Sequence, residues 1–264
     1  MIIDFHTHCF PEKIASKALG VLSKASGMMF PFHTGTAQSL ISALKDGGAD
    51  KGVVLSIATN THQQRSVNDF AISLLEHEEL IPFGSVHPES EDALEELERL
   101  HEAGIKGVKF HPEYQNFFVD DDKMLPLYEK IGSLGMITVF HSGFDLGYDA
   151  PFHCTPERLA RVLGAFGGAP VVAAHLGGVA ELQDTLAHLC GKNVYLDTAF
   201  AYGVIAPHTA KAIIEAHSTD RILFGTDLPW SSVKHGLAFL DCLDLSEEDY
   251  KKITGGNARR LLNI

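Results

Sequence analysis

The stretch Met1-Ile2-Ile3-Asp4-Phe5-His6-Thr7-His8 decides how the rest of the chain is read. Ile2 and Ile3 are β-branched and Phe5 is aromatic, side chains that suit a buried, pleated strand. Side chains two residues apart in a strand point the same way, so Asp4, His6 and His8 are expected on one face. The two imidazoles would then stand about 7 Å apart along the strand. Both can reach one ion, because imidazole nitrogen bonds zinc at roughly 2.0–2.1 Å. Two surface histidines near a terminus would leave the shared face of an apolar strand unexplained. A lone His-x-His is a weak motif, so the later strand ends decide.

Outward from this strand, apolar runs recur at Gly52–Ala58, Leu80–His87, Gly104–His111, Met136–His141, Pro170–His175, Asn193–Thr198 and Arg221–Asp227. Helical patterns lie between them, at Thr36–Asp46, Ser66–Glu79, Glu89–Ala103, Lys123–Leu134, Val179–Cys190 and Pro207–His217, and two more close the chain at Val233–Leu243 and Glu247–Leu262. A further helix opens at Thr155-Pro156-Glu157, with Thr155 as N-cap and Pro156 at the first helical position. Residues 9–35 have no clear period and read as a long loop with a short helix near Ile14–Leu22. Loops of that length inside a domain usually carry function. Strands alternating with helices predict a parallel sheet, and eight such units predict an α/β fold of the closed (β/α)8 barrel type. No linker-like segment interrupts the pattern, so residues 1–264 read as one domain. A doubly wound open sheet would usually place a glycine-rich turn after its first strand. Here that turn is His8-Cys9-Phe10-Pro11.

The formal net charge of −13 is spread along the chain, which disfavours nucleic-acid and anionic-membrane partners and leaves a small-molecule substrate as the expected one. The acidic run Glu89–Glu98 carries Ala93, Leu94 and Leu97 at helical spacing and reads as a solvated helix face. Cys9, Cys154, Cys190 and Cys242 show no C-x-x-C spacing and read as free thiols of a reducing compartment. No signal peptide or bilayer-length apolar run is read, so a cytoplasmic location is expected. The sequence leaves a homo-oligomer open.

In a barrel enzyme the site lies at the C-terminal ends of the strands. Those ends carry His6 and His8, His87, Lys109 and His111, His141, His175 and Asp227. Read as chemistry, His6, His8 and one later histidine would supply neutral nitrogen ligands and Asp227 an anionic oxygen. A position left to water or substrate makes such a site catalytic. A bound ion would lower the pKa of its water towards ~7 and polarise a carbonyl. Asp227 could accept the proton, and a remaining histidine could steady an oxyanion or act as acid–base group. Lys109, buried on a strand, must be paired or modified. It could grip a substrate carboxylate or, after reacting with carbon dioxide, bridge two metals. His33, His62, His77, His101, His188, His208, His217 and His235 read as surface or capping residues. Phe117, Phe118, Phe144 and Trp230 follow strand ends and could wall a pocket. His153 and Cys154 could line it or only fold their loop.

The order His6-x-His8, Lys109, His141, His175, Asp227 resembles the amidohydrolase superfamily. More narrowly the chain resembles its "amidohydrolase 2" branch, which includes aminocarboxymuconate-semialdehyde and resorcylate-type decarboxylases. The stretches that carry the likeness are Ile3–His8, Gly107–Pro112, Val139–Gly143, Ala174–Gly178, Gly225–Trp230 and Gly255–Leu262. The resemblance implies one divalent ion per chain, most often zinc, on His6, His8, His141 and Asp227, with His175 as acid–base group beside it. It leaves Lys109 unassigned, because binuclear relatives carboxylate a fourth-strand lysine and use both His141 and His175 for a second metal. One metal is the expectation, as in decarboxylase-like relatives. The function expected is a metal-dependent hydrolase of an amide, ester or lactone of a small carboxylated substrate. Asp227, His175 and Lys109 would be catalytic, and Lys109, His111 and Trp230 would hold substrate. The alternative is a non-oxidative decarboxylase, a carboxy-lyase, of a ring or dienoic acid.

Overall fold

The computed structural model describes residues 1–27 and 29–264, so position 28 of the expected 9–35 loop lies outside the described residues. Eight strands form, at Ile3–Thr7 (β1), Lys51–Leu55 (β2), Leu80–Phe83 (β3), Gly107–Phe110 (β4), Ile137–Phe140 (β5), Val171–Ala173 (β6), Tyr195–Asp197 (β7) and Ile222–Leu223 (β8). All neighbours run parallel, in the orders β1-β2-β3 and β4-β5-β6-β7-β8. Two seams join the halves. At one, Gly84 bridges Val108 and the Lys109 amide donates to the Gly84 carbonyl at 2.8 Å. At the other, Thr7 bridges Leu228, and the amides of Phe5 and Asp227 donate to the carbonyls of Phe224 and His6 at 2.7 and 2.9 Å. The sheet is therefore closed, and the chain is a (β/α)8 barrel as the alternating pattern predicts.

Two apolar layers follow from the strand alternation. Ile3, Phe5, Val53, Leu55, Phe83, Val139 and Leu223 fill the interior, with Ala258 and Leu262 packed against them. Val54, Val108, Phe110, Phe140, Ala173 and Phe224 face the helices instead. Lys109 is in register with Val139, so the alternation carries its ammonium group towards the interior.

Local chemistry sets the helix ends. Thr36 accepts from the Ser39 amide at 3.2 Å while Ser39 Oγ accepts from the Thr36 amide at 3.0 Å, which starts the helix Ala37–Gly47. Gly48 ends it in the left-handed region at φ 90°. Thr155 caps its helix as expected, accepting from the Arg158 amide at 3.3 Å. One expectation needs correction. Glu12–Ala25 is a full 14-residue helix rather than a short one inside a loop. Only Ala15 and Leu19 of it are buried, so most of its apolar side chains do not serve the core.

Candidate active site

Above the C-terminal strand ends lies a cavity of about 960 Å3. His6, His8, Lys109, His111, His141, His175 and Asp227 all line it. Their separation in sequence is bridged by the barrel alone.

At the β8–β1 seam, Asp227 Oδ1 stands 3.5 Å from His6 Nε2 and 3.0 Å from His8 Nε2. The other ring nitrogen of each histidine is committed. His6 Nδ1 donates to Asp197 Oδ2 at 2.8 Å, and His8 Nδ1 donates to the Leu55 carbonyl at 2.9 Å. These partners assign the tautomers, so in neutral imidazoles both Nε2 atoms carry lone pairs. Two lone pairs and a carboxylate oxygen then converge with no proton between them, which is a donor set for a cation. His6, His8 and Asp227 form one group whose ligand atoms all lie within 4.8 Å of one another. Their chemistry fits a divalent metal.

His141 stands outside that group and forms a second with His111 and Asp145. Asp145 Oδ2 lies 3.4 Å from His111 Nε2 and 3.8 Å from His141 Nε2. The His111 and His141 rings stack with centroids 4.1 Å apart. A hydrogen-bond chain fixes their neighbour His175. Its Nδ1 donates to the Ala199 carbonyl at 3.1 Å, so its Nε2 accepts from His141 Nδ1 at 3.1 Å. His141 Nε2 is left as a buried lone pair without a hydrogen-bond partner among the described residues. His175 also lies against His6, with ring centroids 5.1 Å apart.

Burial dominates the electrostatics. It holds His6, His111 and His141 well below the ordinary imidazole range, and the nearby Lys109 charge adds to the effect on each, so these rings are neutral near pH 7. Neutral nitrogen is what metal ligation requires. Burial also pulls the Lys109 ammonium down to about 8, against the attraction of Asp197 and Asp227. For Asp227, burial opposes ionisation, but the flanking His8, His6 and His175 rings outweigh it and hold the carboxyl well below its usual range. Lys109 is 1% exposed and its Nζ has no hydrogen-bond partner among the described residues.

Other expected residues fall apart from the site. Asp4 was expected on the face of His6 and His8, but the register with β2 shifts between Asp4 and Thr7. Its carboxylate instead accepts from Thr226 Oγ1 at 2.5 Å, the Thr226 amide at 3.0 Å and the His6 amide at 3.2 Å. Burial raises it to about 7, and these donors work against the rise. His87 accepts from the Glu89 amide at 3.2 Å within its own loop. Phe144 and Trp230 line the cavity, whereas Phe117 is core and Phe118 packs on His153 and Arg158. Cys154 is buried beside Ser142, and His153 hydrogen-bonds the Pro112 carbonyl. His33 is buried rather than at the surface, and keeps a turn role by accepting from the Gly35 amide at 3.0 Å. His217 is also buried, bonding the Val194 carbonyl at 2.8 Å.

Sequence reasoning missed Asp197 and Asp145. Asp197 ends β7 and holds three groups at once: His6 Nδ1, the His175 amide at 2.8 Å and the Ala199 amide at 3.0 Å. Its place at the end of an apolar run, like those of Lys109 and His175, was the available signal.

Comparison with known proteins gives three kinds of likeness. A family model described as "Amidohydrolase" matches residues 3–264. A gamma-resorcylate decarboxylase of Polaromonas sp. (strain JS666) is 36% identical over 73 residues, a match that covers 28% of this chain and only 22% of that relative. Among solved structures, a dihydroxybenzoic acid decarboxylase from Polaromonas sp. JS666 with bound manganese and the inhibitor 2-nitroresorcinol superposes with TM-score 0.74 at 18% identity, covering 99% of this chain and 96% of that one. A probable 2-pyrone-4,6-dicarboxylic acid hydrolase from Acinetobacter baumannii, with citric acid bound, gives TM-score 0.71 at 18% identity over 100% of this chain and 99% of that one. At these identities the structural likeness speaks for the fold.

Proposed function

Because this chain belongs to the amidohydrolase family, we propose that it is a metal-dependent enzyme acting on a small carboxylated substrate, and specifically a non-oxidative decarboxylase of a ring or dienoic acid. The observation that carries the reading is Lys109, a buried ammonium facing the cavity with no partner among the described residues. An isolated buried charge is costly, and a substrate carboxylate would complete it. Phe144, Phe200 and Trp230 offer apolar walls for a planar ring. The named decarboxylases among the similar proteins favour this reading over the hydrolase expected from the sequence.

His6, His8 and Asp227 would hold the ion, with His141 turning in its unpartnered Nε2 as a further ligand. A divalent ion there supplies positive charge that polarises a substrate oxygen. Zinc is the metal expected from the sequence, and the manganese of the Polaromonas structure makes manganese its competitor. The residues do the rest. Lys109 and His111 grip and orient the substrate. In decarboxylation the bond from ring carbon to carboxylate breaks, carbon dioxide leaves, and the ring carbon keeps the electron pair. That carbon then takes a proton relayed through Asp227 from a substrate hydroxyl or solvent. His175, oriented by its Nδ1 bond to the Ala199 carbonyl, would steady negative charge on the substrate oxygen once its Nε2 has taken up a proton.

Hydrolysis of a lactone or amide is the second reading, favoured by Asp227. Its carboxyl is held ionised beside His8 and can take a proton from water. Incubating metal-loaded protein with hydroxylated benzoic acids and with carboxylated lactones separates the two. Carbon dioxide release supports the decarboxylase. Lactone opening without carbon dioxide supports the hydrolase. Neither product from either panel, with metal bound, argues against both.

A further inference from the structure

We propose that the outer half of the cavity is a binding subsite for an extended apolar arm, so that the substrate is an amphiphilic acid and not a single small ring. The inference deepens the carboxylated-substrate reading and rests on it. A volume of about 960 Å3 lies at the top of the ~300–1,000 Å3 range that encloses drug-sized ligands. One small ring acid over Lys109 would leave most of it filled with water against apolar walls.

The helix Glu12–Ala25 supplies the outer wall. It buries Ala15 and Leu19 beside Gly35, while Ile14, Ala18, Val21, Leu22 and Ala25 line the cavity on the adjoining face. These positions are spaced by four, three, one and three residues, which places them on one helical stripe. Ile14 is 48% and Val21 59% exposed. A stripe of aliphatic side chains open to water, rimmed by polar residues, marks a ligand groove. Lys13 and Lys17 flank it and offer local positive charge to an incoming anion on a chain of net charge −13. The stripe lines the same cavity as the polar floor, and Val67 and Phe70 of the helix Gln64–Ser73 add further apolar lining. An acid head at Lys109 would therefore send its arm outward along the stripe.

The chain contains one tryptophan, Trp230, and it lines the cavity, so intrinsic fluorescence reads occupancy directly. The test titrates the purified, metal-loaded protein with benzoate, 4-butylbenzoate and 4-octylbenzoate. Affinity should rise about fourfold for each methylene that is buried, the ratio that corresponds to ~0.8 kcal/mol per CH2. The Ile14→Ser/Val21→Ser double variant changes exposed positions only and should fold. It should weaken 4-octylbenzoate at least ~10-fold and leave benzoate within about twofold. Ala18→Phe, which fills the groove, should give the same pattern. A series that is flat in chain length overturns the proposal. So does a double variant that shifts short and long acids equally. Light scattering covers the other occupant: a dimer that dissociates in the double variant, with acid binding unchanged, would make the stripe a self-association face and overturn the arm subsite. Because the readout is binding, the two readings fail separately. A steep series with no carbon dioxide release leaves the arm subsite standing and removes the decarboxylase. Carbon dioxide release from single-ring acids with a flat series does the reverse.

Discussion

His8 and Asp227 meet at 3.0 Å across a separation of 219 residues, and they do so because β1 and β8 are neighbours in the closed barrel. Both partners present acceptors when His8 is neutral, so the contact is completed by a proton or by a cation. Elemental analysis of protein purified without chelator should show about one divalent ion per chain, as in an open mononuclear site. His8→Ala and Asp227→Asn should each lose most of it. Wild-type protein that takes up no ion, even when supplied with zinc or manganese, would remove the metal from the proposal.

Asp197 touches no substrate in this arrangement and acts through His6. Asp197→Asn keeps the shape but removes the charge that orients His6 Nδ1. Loss of such an outer partner typically costs 10–100-fold in metal affinity. Chelator competition should therefore report a fall of that size, with the circular dichroism of the barrel retained. Unchanged metal affinity would reduce Asp197 to a structural role.

Lys109 sets stability against function. Its folded value of about 8, lowered by burial from 10.5, corresponds to ~3 kcal/mol at about 1.4 kcal/mol per pH unit. Below about pH 8 the lysine is protonated in folded and unfolded chains alike, and the folded state bears that cost in full. Between about 8 and 10.5 the unfolded chain holds a proton that the folded one has released, so stability rises with pH. In metal-free protein, Lys109→Met should be more stable than wild type by up to ~3 kcal/mol at pH 7, with the gap closing towards pH 10.5. Urea unfolding at several pH values measures it. The same variant should lose roughly 10–100-fold in kcat/KM on a carboxylated substrate, the range for a hydrogen bond to a charged group. Intact mass should show Lys109 as an unmodified amine. An added carboxyl group there would move the site to a two-metal class.

His175→Asn tests the division of labour among the histidines. It should retain about one ion per chain and lose at least ~10²-fold in turnover, the lower range for removing an acid–base group. Loss of the ion with the side chain would make His175 a ligand and reassign the site.

The barrel was legible because each strand is an apolar run that stops at a polar residue, and that stop is where the barrel places its chemistry. His6, His8, Lys109, His111, His141, His175 and Asp227 all reach the cavity for this reason. The strand rule failed at Asp4, because alternation presumes an even pleat and the register shifts before Thr7. Asp197 ends an apolar run as the others do, but its work is done across 191 residues on His6, a pairing the run itself does not show. Asp145 lies in a loop four residues beyond His141, where no periodicity constrains a reading. The helix Glu12–Ala25 reads from the sequence only as a short one near Ile14–Leu22, and much of its apolar surface faces the open cavity while little of it faces the core.

The seam between β8 and β1 joins the two ends of the strand order, so the barrel is not closed without it. His6 and His8 stand on one side of that seam and Asp227 on the other, so the three come together only when the ring is shut. Reactivity and completed topology thus become a single event. A half-built or locally opened barrel would have scattered ligands, and an assembly fault at the seam would be silenced before it could handle substrate.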